Sequence, residues 1–158
     1  MEMGAERMLA SILEPLRDQY DFVIVDTCPS LGSLTINALA AAHQAIVPVQ
    51  AHYLAMEDMA DTLEVIQTIR QGINPKLAVG GILLTMYQGR TNLCRGIQDE
   101  IQADYGNAFT VFSSPIDFSI RVAEHPIGAA SIFAYEPNNP AAKAYSAVAQ
   151  EVLSYGQK

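Results

Sequence analysis

The sequence predicts an α/β fold: three layers, with helices on both sides of a mostly parallel sheet. Two observations lead there. Short apolar runs at 22–25 (FVIV), 45–49 (AIVPV) and 77–85 (LAVGGILLT) alternate with longer amphipathic stretches, and that alternation builds βαβ units with right-handed crossovers. The first run also has no polar alternation and ends in one carboxylate, Asp26, as expected of a strand buried on both faces.

Residues 5–17 put Met8, Leu9, Ile12, Leu13 and Leu16 on one helical stripe, and Pro15 should loosen its last turn. After the strand from Phe22, residues 27–33 form a loop and 34–42 (LTINALAAA) a short helix with Ser33 as its N-cap. The strand at 45–49 leads into a helix over 56–71, with Met59, Leu63, Ile66 and Ile69 inward. Asn74-Pro75 marks a turn. In the strand at 77–85, Gly80 and Gly81 allow close packing or a bulge. A polar loop (86–92, MYQGRTN) precedes a helix from Leu93 to about Asp104. A short fourth strand at 109–112, a loop at 113–119 and a helical turn at 120–125 follow. Residues 131–140 read as irregular, with a turn at Asn138-Asn139-Pro140, and 141–155 as an Ala-rich closing helix. No repeat, linker or low-complexity tract divides the 158 residues, so a single domain is expected.

Half of the residues are hydrophobic and 16% are charged, which suits a globular chain rather than a disordered one. No apolar run approaches the ~20 residues that span a bilayer, and the polar start MEMGAERM lacks a signal-peptide apolar region. With only Cys28 and Cys94 as cysteines, a reducing cytoplasm is expected. A net charge of −8 argues against a surface coated with nucleic acid, so any DNA contact must use a local basic patch.

Asp26 is the leading candidate for chemistry. In open parallel sheets ligands bind beyond the carboxyl ends of the strands, and P-loop nucleotidases place a carboxylate beside Mg²⁺ in this way. Pro29 fixes φ and withholds a donor, and Gly32 lets backbone approach a ligand closely. An apolar run ending in Asp is equally explained by the residue's habit of capping turns and helix starts. Cys28 has no neighbouring His and no Cys-x5-Arg pattern, so it reads as a packed thiol rather than a nucleophile. His43, His52 and His125 lack metal-ligand spacing. Tyr53, Met56 and Met59 suit either a dimer face or packing of the following helix.

Taken together, YDFVIVDTCPSLGSLTINAL, IVPVQAHYLAMEDM, INPKLAVGGILLTMYQGRTNL, SIRVAEHP and IFAYEPNNPAAKAY closely resemble the ParA/Soj family of chromosome and plasmid partition ATPases in order and spacing. The resemblance implies a P-loop NTPase fold of the SIMIBI/MinD–ParA type, with Mg²⁺ and ATP as cofactors. It makes Asp26 the catalytic Walker B aspartate, holding Mg²⁺ through a water. It places Thr27, Pro29 and Gly32 in the loop that senses the γ-phosphate, and Gln50 to Glu57 in the segment facing nucleotide and partner subunit. Thr85, Met86, Ile116 and Asp117 would border the adenine, and Arg90 and Arg121 would contact DNA without sequence preference. The implied partners are a second copy, DNA and a centromere-binding ParB-like protein, with no membrane; the implied location is the cytoplasm, at the nucleoid.

Three departures from the family pattern stand out. Asp-x-Pro-Pro-Ser becomes Asp26-Thr27-Cys28-Pro29-Ser30, and Ile-Pro-Arg becomes Ile116-Asp117-Phe118. The phosphate loop K-G-G-x-G-K-T/S is missing: Lys76, Lys143 and Lys158 follow no glycine-rich turn. The fold is thus expected to be incomplete at its N-terminus, the chain being the C-terminal part of the ATPase domain. Alone it is expected neither to bind ATP tightly nor to hydrolyse it, and unpaired sheet edges should favour self-association. The alternative is a non-catalytic ParA-like module that binds a partner protein or DNA. A receiver-like domain with Asp26 as phosphoacceptor is disfavoured, because no lysine follows the strand ending at Thr85.

Overall fold

The structure, a computed structural model, describes residues 5–28, 30–124 and 131–155. After a helical turn at Ala5–Arg7 come α1 (Met8–Leu13), a 3-10 turn (Glu14–Leu16), α2 (Ser33–Ala41), β1 (Gln44–Gln50) and α3 (Tyr53–Gly72). Then follow β2 (Ala78–Thr85), α4 (Asn92–Tyr105), α5 (Ile120–Glu124), α6 (Ile132–Tyr135) and α7 (Pro140–Tyr155). The chain forms two compact units. One takes the chain up to Ala45 with Ala60–Val79, the other Ile46–Met59 with the chain from Gly80 onward.

β1 and β2 pair as a parallel sheet. Start meets start, Ala78 N donating to His43 O at 3.0 Å, and end meets end, Ala51 N donating to Thr85 O at 3.0 Å. Gly81, Ile82, Leu83 and Leu84 are all buried, so β2 is covered on both faces, which is what its unbroken apolar run requires. In β1 burial alternates, Val47 and Val49 inward, Ile46 and Pro48 outward. Pro48 has no N–H to give, and β1 has one strand neighbour among the described residues, so the proline breaks no ladder there.

Of the strand expected at 109–112, one parallel bridge is present, Ile82 of β2 with Val111; a second bridge, Tyr87 with Asp117, lies past the ends of both stretches. From 109 on, the backbone bonds to Ile82, skips Ser113 and Ser114, then rejoins through Ile116 N to Leu84 O at 2.8 Å. Phe112 and Ile116 share a core with Leu83 and Val148, against which Ala144 and Val152 of α7 pack. Cys94, Ile97 and Ile101 are the buried residues of α4 on that helix's apolar stripe. The 131–140 stretch is less irregular than its composition suggests: it contains α6, capped where Ser131 Oγ accepts from Ala134 N at 3.3 Å.

In the first unit α1 is fastened to α2 by Asn37, whose Oδ1 accepts from Leu9 N at 3.3 Å and whose Nδ2 donates to Ala5 O at 2.8 Å. Asn74 Nδ2 donates to Leu39 O and Ala42 O at 3.0 and 2.7 Å, satisfying carbonyls that the end of α2 leaves open. Two expectations need correcting here. Ser33 is the first residue of α2 rather than its cap, a place taken by Gly32 without a side-chain bond.

The second correction is larger. Residues 22–28 run without helix, strand or turn, and the segment makes no ladder among the described residues. Phe22, Val23, Ile24 and Val25 are 52%, 51%, 92% and 39% exposed, so neither face of the expected buried strand is covered. A lone strand gains nothing from its backbone groups until a neighbour pairs with them, and no described residue does.

Candidate functional site

Asp26 ends that run with its carboxylate exposed and, among the described residues, without a hydrogen bond or ion pair. Thr27 and Cys28 beside it are exposed as well. Pro29 lies outside the described residues. Thr35, buried in the first turns of α2, donates from Oγ1 to Ser30 O at 2.6 Å and so pins the loop to the helix. Cys28 Sγ stands 3.3 Å from Ser30 Oγ and 4.0 Å from Thr35 Oγ1. Hydrogen bonds from the Ser30 side chain first, then the Ser30 backbone and Thr35, pull the Cys28 thiol below its ordinary pKa, because they stabilise the thiolate. Gly32 O accepts from Ile36 N at 3.0 Å and opens α2.

In the second unit a cleft of about 410 Å³ opens at the carboxyl ends of β1 and β2. Gln50, Ala51 and His52 line it after β1, Met86 and Gln88 after β2, and Thr91 and Leu93 at the start of α4. This is where ligands sit in parallel sheets, and the size suits a small-molecule site. Three hydrogen bonds hold the rim. Thr91 Oγ1 accepts from Cys94 N at 3.3 Å and donates to Gln88 O at 2.9 Å, capping α4. Cys94, buried, donates from Sγ to Ala51 O at 3.6 Å. Met86 has φ of 51°, a left-handed conformation costing a non-glycine residue roughly 1–2 kcal/mol, and such local strain gathers at functional sites.

The sequence-derived residues are placed unequally. Met86 is exposed in the cleft lining. Thr85 is half-buried, with Oγ1 donating to Val49 O at 3.3 Å. Ile116 is buried in the core cluster, and its backbone is spent on Leu84 O and Tyr87 N. Asp117 is exposed, held by the bridge to Tyr87. Arg90 is exposed in the turn before α4, whereas Arg121 lies between Glu124 and Glu136. Of the dimer-face candidates, Met59 is 2% exposed and packs inward, while Tyr53 stands 60% exposed. Gln88, Thr91, Leu93 and Thr35 escaped the sequence reading; the position of Gln88 and Thr91 just past a strand's carboxyl end was the one available signal.

Mg²⁺ and ATP require an oxygen-rich metal site and a cationic phosphate cradle. Among the described residues no three His, Cys, Asp or Glu side chains converge. The cleft lining has no carboxylate, lysine or arginine among the described residues. Lys76 precedes β2, at the end of that strand away from the cleft, and Lys143 belongs to α7. Among the described residues, these side chains do not by themselves form a magnesium–triphosphate cradle.

Helices and a parallel sheet of this kind are consistent with the α/β P-loop NTPase fold of the solved structures the chain resembles. Residues 1–79 match the family model described as "AAA domain", and the chain belongs to that family. The chain is also a homologue of ParA/Soj chromosome-partitioning ATPases. It is 42% identical over 149 residues to the chromosome-partitioning ATPase Soj of Thermus thermophilus, covering 94% of this chain and 59% of that protein. With the sporulation initiation inhibitor protein Soj of Bacillus subtilis it shares 34% identity over 154 residues, covering 98% and 60%. The chain therefore spans about three fifths of the length of these relatives.

Among solved structures it resembles cobyrinic acid a,c-diamide synthase from Mycobacterium smegmatis, solved with bound ADP and magnesium. There the TM-score is 0.74 at 32% identity, over 92% of this chain and 51% of that one. Apo McdA from Cyanothece matches with a TM-score of 0.75 at 18% identity, over 91% and 59%, and speaks for the fold alone. No helix among the described residues is long and apolar enough to cross a membrane.

Proposed function

We propose that this chain is the Asp26-bearing, C-terminal part of a single ParA/Soj-type ATPase domain that moves plasmid or chromosomal DNA. The observation carrying this is the 42% identity to a chromosome-partitioning ATPase across 94% of the chain. In the whole protein, ATP with Mg²⁺ supplies the energy and the dimerising signal. Asp26 holds the metal through a water, and its exposed carboxylate at the end of an extended run suits that role. Thr27, Pro29 and Gly32 read the γ-phosphate. Thr85, Met86, Ile116 and Asp117 border the adenine, Ile116 as packing behind it, given its burial. Arg90 and Arg121 contact DNA in the dimer, and a centromere-bound ParB-like protein triggers hydrolysis. The protein works in the cytoplasm, at the nucleoid.

Asp26→Asn, made in a polypeptide that also carries the phosphate loop, tests this. Magnesium-dependent ATP hydrolysis should fall by at least about a hundredfold, since a positioned charge of this kind is worth several kcal/mol. Turnover at the unmodified rate, with the metal dependence intact, would refute the assignment.

A second reading, a non-catalytic module, draws on the exposed run Phe22–Val25, because uncovered apolar surface of this kind marks binding sites. A phosphate loop encoded in frame ahead of Met1 decides for the first reading, and a genuine start signal there for the second.

A further inference from the structure

Arg121 carries two ion pairs at once. Its Nε lies 3.2 Å from Glu136 Oε1 and its Nη1 3.3 Å from Glu124 Oε2. One positive charge faces two negative ones, so the group as a whole has a net charge of −1, and an approaching phosphate meets repulsion where a lone arginine would attract it. Resting on the reading that Arg121 faces DNA, we infer that Glu136 masks Arg121, and that the pair must open before this arginine can hold a phosphate.

Glu136 is fixed for the task. Its second oxygen accepts from Asn139 Nδ2 at 2.9 Å. Asn139 is itself locked, its Oδ1 accepting from Ala141 N at 3.0 Å at the start of α7 and its N donating to Glu136 O at 3.0 Å. The share of side-chain freedom that Glu136 would give up on pairing is thus already lost to the helix cap. The Glu136 carboxylate is the leading cause of the raised Arg121 pKa, so the arginine stays charged and is hidden by pairing.

The mask is a weak one. Arg121 and Glu136 side chains are 55% and 36% exposed, a setting in which ion pairs yield to competing anions and to salt. Arg90, exposed and without an ion pair among the described residues, is the contrasting unmasked arginine.

The test measures fluorescence anisotropy of a labelled random-sequence duplex at low salt. In a polypeptide that also carries the phosphate loop, with ATP and Mg²⁺ present, it compares the unmodified sequence with Glu136→Gln, Arg121→Ala and the double variant. Glu136→Gln should bind about two- to fivefold tighter, the range an exposed pair can supply, with a salt slope steeper by up to about one. The double variant should bind no better than Arg121→Ala. Binding by Glu136→Gln where the unmodified chain shows none would support complete masking. A gain that persists in the double variant, or no gain while Arg121→Ala still weakens binding, overturns the mask alone. Arg121→Ala binding as well as the unmodified chain, or no binding by any variant, removes Arg121 from the DNA surface and the mask with it.

Discussion

Gly81 and Phe112 touch so closely that a Cβ on Gly81 would stand 2.5 Å from Phe112 Cε2. Phe112 is 3% exposed and built into the core with Leu83, Ile116 and Val148, so its ring has nowhere to retreat. Gly81→Ala should therefore destabilise the chain by about 1–3 kcal/mol, the usual result of overpacking. Adding Phe112→Leu should recover part of that loss. Urea unfolding measures both, and an unchanged midpoint for Gly81→Ala would contradict the contact.

Ile24 is 92% exposed. Ile24→Asp should change the stability of this chain by no more than about 0.5 kcal/mol, as for other surface positions. Self-association on size-exclusion chromatography should fall, since a charge blunts an unpaired apolar strand. A loss of about 2–5 kcal/mol, typical of a buried isoleucine, would mean that the segment is covered after all.

Cys28 and Cys94 should differ sharply towards a thiol reagent. Cys94 is buried and bonded to Ala51 O, while Cys28 is exposed with its pKa lowered by Ser30 and Thr35. A lowered pKa puts the rise of thiolate with pH earlier than in an unperturbed cysteine, so Cys28 should label faster than an unfolded peptide at neutral pH. Ser30→Ala should move that rise to higher pH and slow the reaction. Equal rates for both cysteines in the folded chain would contradict this.

Thr91 caps α4 through Cys94 N at 3.3 Å. Thr91→Ala should cost about 1 kcal/mol and Thr91→Ser much less, as at other N-caps. Thermal unfolding distinguishes them, and equal melting temperatures for Ala and Ser would remove the cap.

β1, β2, α3, α4 and α7 were legible because their patterns are written in their own side chains: LAVGGILLT carries its burial on both faces. FVIV at 22–25 has the same local pattern, yet it stands in the open. Burial of a strand belongs to its neighbours as much as to itself, and no reading of four residues reveals whether a neighbour is present. The site divides in the same way. Asp26 could be marked by its place at the end of an apolar run, and Met86 by the family resemblance. The left-handed turn at Met86 could not, since such turns are expected of glycine and asparagine. Thr35 to Ser30 O is a local loop-to-helix bond and Arg121 to Glu136 joins two separate helical segments, both between residues of unremarkable type. They become visible only once the chain is folded.

On the proposed reading, Asp26 supplies one part of a magnesium–nucleotide site whose phosphate cradle the described residues do not form. Calorimetric titration of this polypeptide with ATP and Mg²⁺ tests it most directly. Binding should be weaker than a Kd of about 1 mM, equivalent to about −4 kcal/mol. Saturable binding in the micromolar range, lost in Asp26→Asn, would show that the chain holds the nucleotide unaided.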